Sequence, residues 1–271
     1  MSELPSRADD GGGGPTAASP SVNGRPLLEL KGISKSFGAV QALTDVDFEV
    51  YPEEVVALVG DNGAGKSTLI KTIAGTHQPD DGTIWFEGRE VKIHSPSDAT
   101  HLGIETVYQD LALCDNLDVV ENMFLGREPA GPAGLGPLNE LAMEKRSLDV
   151  LASLNVTTIR SVRTPVVSLS GGQRQSVAIS RAVMWNSKVV ILDEPTAALG
   201  VVQTAQVLAL VKRLREQGLG VIVITHNIQE VFEVADRIVV LRLGRRVATF
   251  KHEGTTPDDV VAAITGAREA A

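Results

Sequence analysis

Between residues 45 and 50 the chain alternates strictly. Val46, Phe48 and Val50 are apolar, while Asp45, Asp47 and Glu49 are charged. A period of two predicts a strand with one face in water. Three later runs, 55–59, 189–192 and 221–224, are continuously apolar and rich in β-branched residues. Such runs predict strands buried on both faces, as in a parallel sheet covered by helices. Between them the period changes. Leu69, Ile70, Ile73 and Ala74 share one helical face, and Gly75 stands where a helix would end. Residues 202–217 repeat the pattern through Val207, Leu208, Val211 and Leu214, closed by Gly218. Thr256-Pro257-Asp258-Asp259 carries the N-cap, first-turn proline and early acids of a helix start. Alternating strands and helices predict an α/β core. The stretch of about 100–187 is expected to be mostly helical, with a Gly- and Pro-rich loop over 129–137 and no internal repeat.

Composition narrows the class. A chain of 271 residues with 43% hydrophobic content can bury a real core. Its 25 basic and 34 acidic residues give a net charge of −9, which argues against nucleic acid as the main partner. The single cysteine, Cys114, excludes a disulfide framework and is expected to be a small buried hydrophobe. No apolar run reaches the roughly 18–20 residues needed to cross a bilayer. Residues 1–26 contain four consecutive glycines and four prolines but no apolar signal segment, and read as a disordered tail. The expectation is a cytosolic protein with an ordered domain over 27–266 and a short tail over 267–271.

The candidate chemistry begins at Gly60-Asp61-Asn62-Gly63-Ala64-Gly65-Lys66-Ser67, followed by Thr68, which matches the P-loop pattern GxxxxGK[ST]. Glycines let the backbone wrap closely with its N–H groups inward, and the helix start that follows adds to an anion site. Lys66 is placed to pair with the β- and γ-phosphates of a nucleotide, and Ser67 to ligate Mg²⁺. The run 189–192 leads into Asp193-Glu194, at the carboxyl edge of a buried strand where ligands bind in open α/β sheets. Asp193 is then positioned for Mg²⁺ and Glu194 for polarising the attacking water. A second anion-binding helix start, Leu169-Ser170-Gly171-Gly172-Gln173, lies about a hundred residues after the P-loop. It precedes a helix expected to carry Ala178, Ile179, Ala182, Val183 and Trp185. One P-loop rarely needs two cradles, so the second is expected to serve an ATP held by another copy.

With these residues the chain resembles the ATP-binding subunit of ABC transporters over essentially all of 27–266. The resemblance implies a P-loop NTPase core with a mostly parallel sheet, an antiparallel β subdomain and a helical subdomain over about 100–187. It implies ATP and Mg²⁺ as cofactors. Gln109, in Val107-Tyr108-Gln109-Asp110, fits the family's Q-loop, which touches Mg²⁺ and faces the membrane partner. His226, in Ile224-Thr225-His226-Asn227, fits the histidine that contacts the γ-phosphate, and Phe37 fits the aromatic stacked on adenine. Two copies are implied to sandwich two ATPs, each P-loop facing the other copy's 170–172. The other histidines, His77, His94, His101 and His252, show no metal spacing.

One departure stands out: where most members have an aspartate in the D-loop, this chain has Ala197-Ala198-Leu199-Gly200. That form is similar to ATPases of bacterial monosaccharide importers, as are stretches 103–109 and 121–128. The resemblance therefore implies permease subunits and, through them, a substrate-binding protein as partners. It also implies a place on the cytoplasmic face of the membrane and a homodimer built from this single set of motifs. The alternatives are an ATPase for another small cargo, or an ATP-gated scaffold for a soluble partner.

Overall fold

A computed structural model describes residues 24–129 and 138–267. Most of the expected N-terminal tail, most of the 129–137 loop and residues 268–271 lie outside the described residues. In chain order the first elements are β1 (Leu28–Phe37), β2 (Val40–Val50), β3 (Val55–Val59), α1 (Lys66–Ile73), β4 (Asp81–Phe86) and β5 (Arg89–Val91). Then come α2 (Pro96–Leu102), β6 (Ile104–Val107), α3 (Val119–Phe124), α4 (Glu140–Ser153) and α5 (Gly171–Val183). The chain continues through β7 (Val189–Asp193), α6 (Val201–Glu216), β8 (Gly220–Ile224), α7 (Ile228–Val234), β9 (Arg237–Arg242), β10 (Arg245–Lys251) and α8 (Pro257–Thr265).

Two sheets organise these elements. An antiparallel sheet has the order β2-β1-β4-β5, and a six-stranded sheet has the order β10-β9-β3-β8-β7-β6. In the larger sheet β9, β3, β8, β7 and β6 are parallel, and β10 closes one edge antiparallel to β9. Every residue of β3 and β8 is buried, as is β7 up to Leu192, in keeping with their unbroken apolar sequence. One face of this sheet shares a core with the antiparallel sheet, through Leu28, Leu30, Phe48, Leu69 and Ile222. The other face packs Val190, Leu192 and Val223 against Ile179 of α5 and Val207 and Val211 of α6. A third cluster, with Met123, Phe124, Met143, Leu151 and Val177, joins α3, α4 and α5.

The helix boundaries follow local chemistry. Gly75 has φ 73°, the left-handed backbone that stops α1. Thr256 caps α8 by accepting from the Asp259 N–H, while the Asp259 side chain accepts from the Thr256 N–H.

Three details differ from the sequence reading. Within the stretch expected to be mostly helical, Ile104–Val107 is a strand of the main sheet. It is a four-residue edge strand with only its two ends fully buried, so it leaves no continuous apolar run. Trp185 lies past the end of α5, its ring edge-on to Phe124 at 5.5 Å. Cys114 is half-buried rather than buried, because it sits in the loop before α3 and not in a packed element. No helix among the described residues is long and apolar enough to cross a membrane.

Candidate functional site

The turn from β3 into α1 is the P-loop, and its shape is dictated by glycine. Gly60 has φ 150°, and a Cβ there would lie 2.2 Å from the Leu241 carbonyl oxygen. Gly65 has φ 103°, and its Cβ would meet the Ala42 carbonyl at 2.8 Å. The loop therefore wedges between β9 and β2, with no room for a side chain at Gly60 or Gly65. Ala64, buried beneath it, donates its N–H to Asp61 and accepts from Gly244, which fixes the loop from below. Gly65 at the head of α1 offers no side-chain cap, and no acidic residue stands in the first turn. The first-turn N–H groups are thus left for an anion.

Lys66 folds back over its own loop. Its Nζ donates to the carbonyls of Gly60 at 2.6 Å and Asp61 at 3.1 Å. Burial lowers its pKa, opposed by the charges of Glu194, Asp61 and Asp193. These carbonyls hold the ammonium at the rim until a phosphate competes for it. Ser67 is exposed in the first turn of α1, and Thr68 is half-buried beside it, its carbonyl accepting from Thr72 Oγ1.

Gly60, Asp61 and Asn62 line a cavity of about 470 Å³ together with Gln109, Glu194, Ala197 and His226. Residues from four separate parts of the sequence thus converge at the carboxyl ends of the parallel strands. Asp193 ends β7 half-buried, and its carboxyl pKa is raised by burial and then by Glu194, against Lys66 and Lys71. A cation would relieve that cost. Ser67, Asp193 and Gln109 carry a hydroxyl, a carboxylate and an amide oxygen, hard donors that would suit Mg²⁺, and of the three only Gln109 is among the residues lining this cavity. Glu194 adopts φ 50° while its N–H donates to Ile224 at 2.8 Å, tying the ends of β7 and β8. Its carboxylate reaches His226, which hangs into the cavity from the β8–α7 turn. The hydrogen bond and then the charge of Glu194 raise the His226 pKa.

The signature stretch begins α5. Ser170 caps the helix by accepting from the Gln173 N–H, and Gln173 accepts from the Ser170 N–H at 2.9 Å. Gln173 also donates to the Thr158 carbonyl at 2.7 Å. Gly171 and Gly172 pack closely on their neighbours: a Cβ on the first would meet the Leu199 side chain at 2.9 Å, and on the second the Gln203 side chain at 3.0 Å. The D-loop and the start of α6 therefore lie on the signature backbone. None of Ser170, Gly171, Gly172 or Gln173 lines the P-loop cavity of the same chain. Phe37 also stands outside that lining, 44% exposed at the end of β1.

Two groups beside the site are not expected there from the sequence, which sets His77 with the other histidines. His77 packs edge-on to Phe37 at 5.1 Å, a pairing across forty residues with no linear signal. Glu230 of α7 accepts from Thr196 Oγ1 at 2.5 Å and Asn227 Nδ2 at 3.0 Å, bracing the turns that carry Glu194 and His226. An acid in the first turn after Asn227 reads only as a helix start until the fold brings Thr196 to it.

Comparison with known proteins agrees with this geometry. Residues 43–197 match the ABC transporter family. The fructose import ATP-binding protein FrcA of Rhizobium meliloti is 48% identical over 90% of this chain and 95% of its own. The xylose/arabinose import ATP-binding protein XylG of Sulfolobus acidocaldarius is 49% identical over 88% of this chain and 94% of its own. A ribose import ATP-binding protein of Streptomyces coelicolor is 42% identical over 89% of this chain, which spans 47% of that longer protein. Among solved structures, a nucleotide-free ATP-binding cassette from an ABC transporter is similar with TM-score 0.74 and 27% identity, over 89% of this chain and 96% of that one. A dimeric bacterial ABC transporter cassette is similar with TM-score 0.69 and 27% identity, over 84% and 100%. This chain belongs to the ABC transporter family, and it folds as that family's ATPase cassette.

Proposed function

We propose that this chain energises the import of a monosaccharide, working as a homodimer beneath a membrane permease fed by a substrate-binding protein. The observation that carries the reading is the separation of the two anion-binding helix starts. The P-loop cavity is lined by Glu194, His226 and Gln109, and Ser170, Gly171 and Gly172 are not among its lining residues. A complete site then needs the signature face of a second copy. The cargo follows from relatives named for fructose and xylose/arabinose import. The stretches 103–109 and 121–128 contribute Glu105, Met123 and Arg127 to a groove of about 220 Å³ that also holds Arg181 and Trp185, which suits a permease segment. The complex would sit at the cytoplasmic face of the membrane.

In this mechanism the P-loop amides and the α1 N-terminus bind the phosphates of ATP, and Lys66 exchanges its carbonyl partners for β- and γ-oxygens. Ser67, Asp193 and Gln109 would hold Mg²⁺, which would neutralise charge on the phosphates. Glu194 orients water towards the γ-phosphorus, and His226 steadies both Glu194 and the γ-phosphate. Ser170 of the second copy completes the set. Catalysis is then positioning with charge stabilisation. ATP favours the closed dimer and its products do not, so each cycle closes and reopens the pair.

The test is uptake of a panel of labelled monosaccharides by cells whose own gene is replaced by this sequence or by its Glu194→Gln form. Selective loss of one sugar in the variant is expected. Unchanged uptake of every sugar would remove the cargo assignment. Absence of any membrane protein on co-purification would favour a soluble scaffold.

A further inference from the structure

The segment after Gln109 is pinned by a residue from the far end of the signature helix. Arg181, in the last turn of α5, donates Nη1 to the Ala112 carbonyl at 3.0 Å and Nη2 to the Leu111 carbonyl at 3.0 Å. Ala112 holds φ 47°, a left-handed backbone that a non-glycine residue adopts only where its surroundings impose it. Further along, the fully buried Asn122 side chain grips the same loop. Its Oδ1 accepts from the Cys114 N–H at 2.7 Å, and its Nδ2 donates to the carbonyls of Cys114, Leu117 and Asp118. The loop between β6 and α3 is thus fastened at both points, one to α5 and one to α3.

Arg181 also lines the groove that contains Glu105, Arg127 and Trp185. There Arg127 pairs with Glu105 at 3.0 Å and lies over the Trp185 ring. One guanidinium therefore touches the groove on one side and the backbone two and three residues after Gln109 on the other. At its opposite end α5 carries the signature residues. A helix of this length is a stiff rod of about 20 Å.

We propose that Arg181 is a positioning residue for Gln109, holding the backbone two and three residues beyond it so that the carboxamide keeps one place in the nucleotide cavity. Two charge-assisted bonds to adjacent carbonyls define an orientation as well as a distance, which a single donor does not. The inference rests on the reading of Gln109 as a site group. It adds that the segment leaving Gln109 is held from α5.

The experiment is a double-mutant cycle on the full chain, with ATP turnover and nucleotide affinity measured separately. Arg181→Ala is expected to lower kcat about tenfold to a hundredfold, as misplacement by about 1 Å does, while ATP affinity changes by less than about threefold. Gln109→Ala is expected to lower kcat by a similar factor. The double variant is expected to be no slower than Gln109→Ala alone, because Arg181 acts through that residue. Arg181→Lys keeps charge but loses the paired donors, and is expected to fall between wild type and Arg181→Ala. It carries the same cycle if the alanine form does not fold. Multiplied losses in the double variant would overturn the proposal, as would full turnover in a folded Arg181→Lys protein with Gln109→Ala impaired. Full turnover in Gln109→Ala would instead overturn the reading of Gln109 itself.

Discussion

Glu194 and His226 are bound to each other across the ends of two parallel strands, with His226 Nδ1 3.0 Å from Oε1 and 2.9 Å from Oε2 of the carboxylate. The glutamate is largely enclosed, while the imidazole is 79% exposed. The carboxylate is therefore held, and its exposed partner has room to turn. Because Glu194 N–H also bonds Ile224 at 2.8 Å, the pair inherits the register of β7 against β8.

Removing the charge from that pair separates binding from chemistry. Glu194→Gln is expected to bind ATP with near-normal affinity and to lose about a hundredfold or more in kcat. Steady-state turnover beside equilibrium binding checks this, and near-normal turnover would refute the assignment of the base.

The same pair gives a pH dependence. Glu194 raises the His226 pKa, so the imidazolium–carboxylate contact is complete below the ordinary histidine range. It is lost as pH rises through the raised value. In a His226 proton titration by NMR, the midpoint of wild type is expected above that of Glu194→Gln. Coincident midpoints would mean that the contact does not form in solution.

The P-loop glycines make a steric prediction. Gly60→Ala would set a Cβ 2.2 Å from the Leu241 carbonyl, so the loop must leave β9 or β3 must shift. Destabilisation of at least about 1–3 kcal/mol is expected, with loss of ATP affinity. Thermal melting and nucleotide titration check the two effects separately.

Beneath the site, Arg237 is 3% exposed and Glu54 is 4% exposed, joined by bonds of 2.7 and 2.9 Å. Arg237 also donates to the Glu49 carbonyl at 2.7 Å, linking β9 to β2. Glu54→Ala leaves the buried guanidinium with only the Glu49 carboxylate, 3.9 Å away, and a loss of about 3 kcal/mol is expected in urea unfolding.

Gly200 stands where most members of the family carry an aspartate, and the structure gives it no need to be glycine. Its φ is −76°, a Cβ there meets nothing within 4 Å, and α6 begins without a side-chain cap. Gly200→Asp is expected to fold normally and to gain a few tenths of a kcal/mol from capping. A lowered melting temperature would contradict that. Any change in the cooperativity of ATP turnover would then report on the missing carboxylate alone.

Local chemistry carried much of this protein in linear form. The two-sided burial of β3, β7 and β8 follows from unbroken β-branched runs, and the P-loop from glycines at fixed spacing before Lys66. The caps at Ser170 and Thr256 are likewise legible, because a cap is a contact between residues three apart. Strand β6 escaped because an edge strand of four residues needs no continuous apolar run. Tertiary structure alone decided which distant groups meet: Glu194 with His226, Phe37 with His77, Glu230 with Thr196, and Arg181 with the Leu111 and Ala112 carbonyls. Those pairings are set by sheet order and helix packing, whose energies are summed over the whole core and leave no mark on any short stretch of sequence.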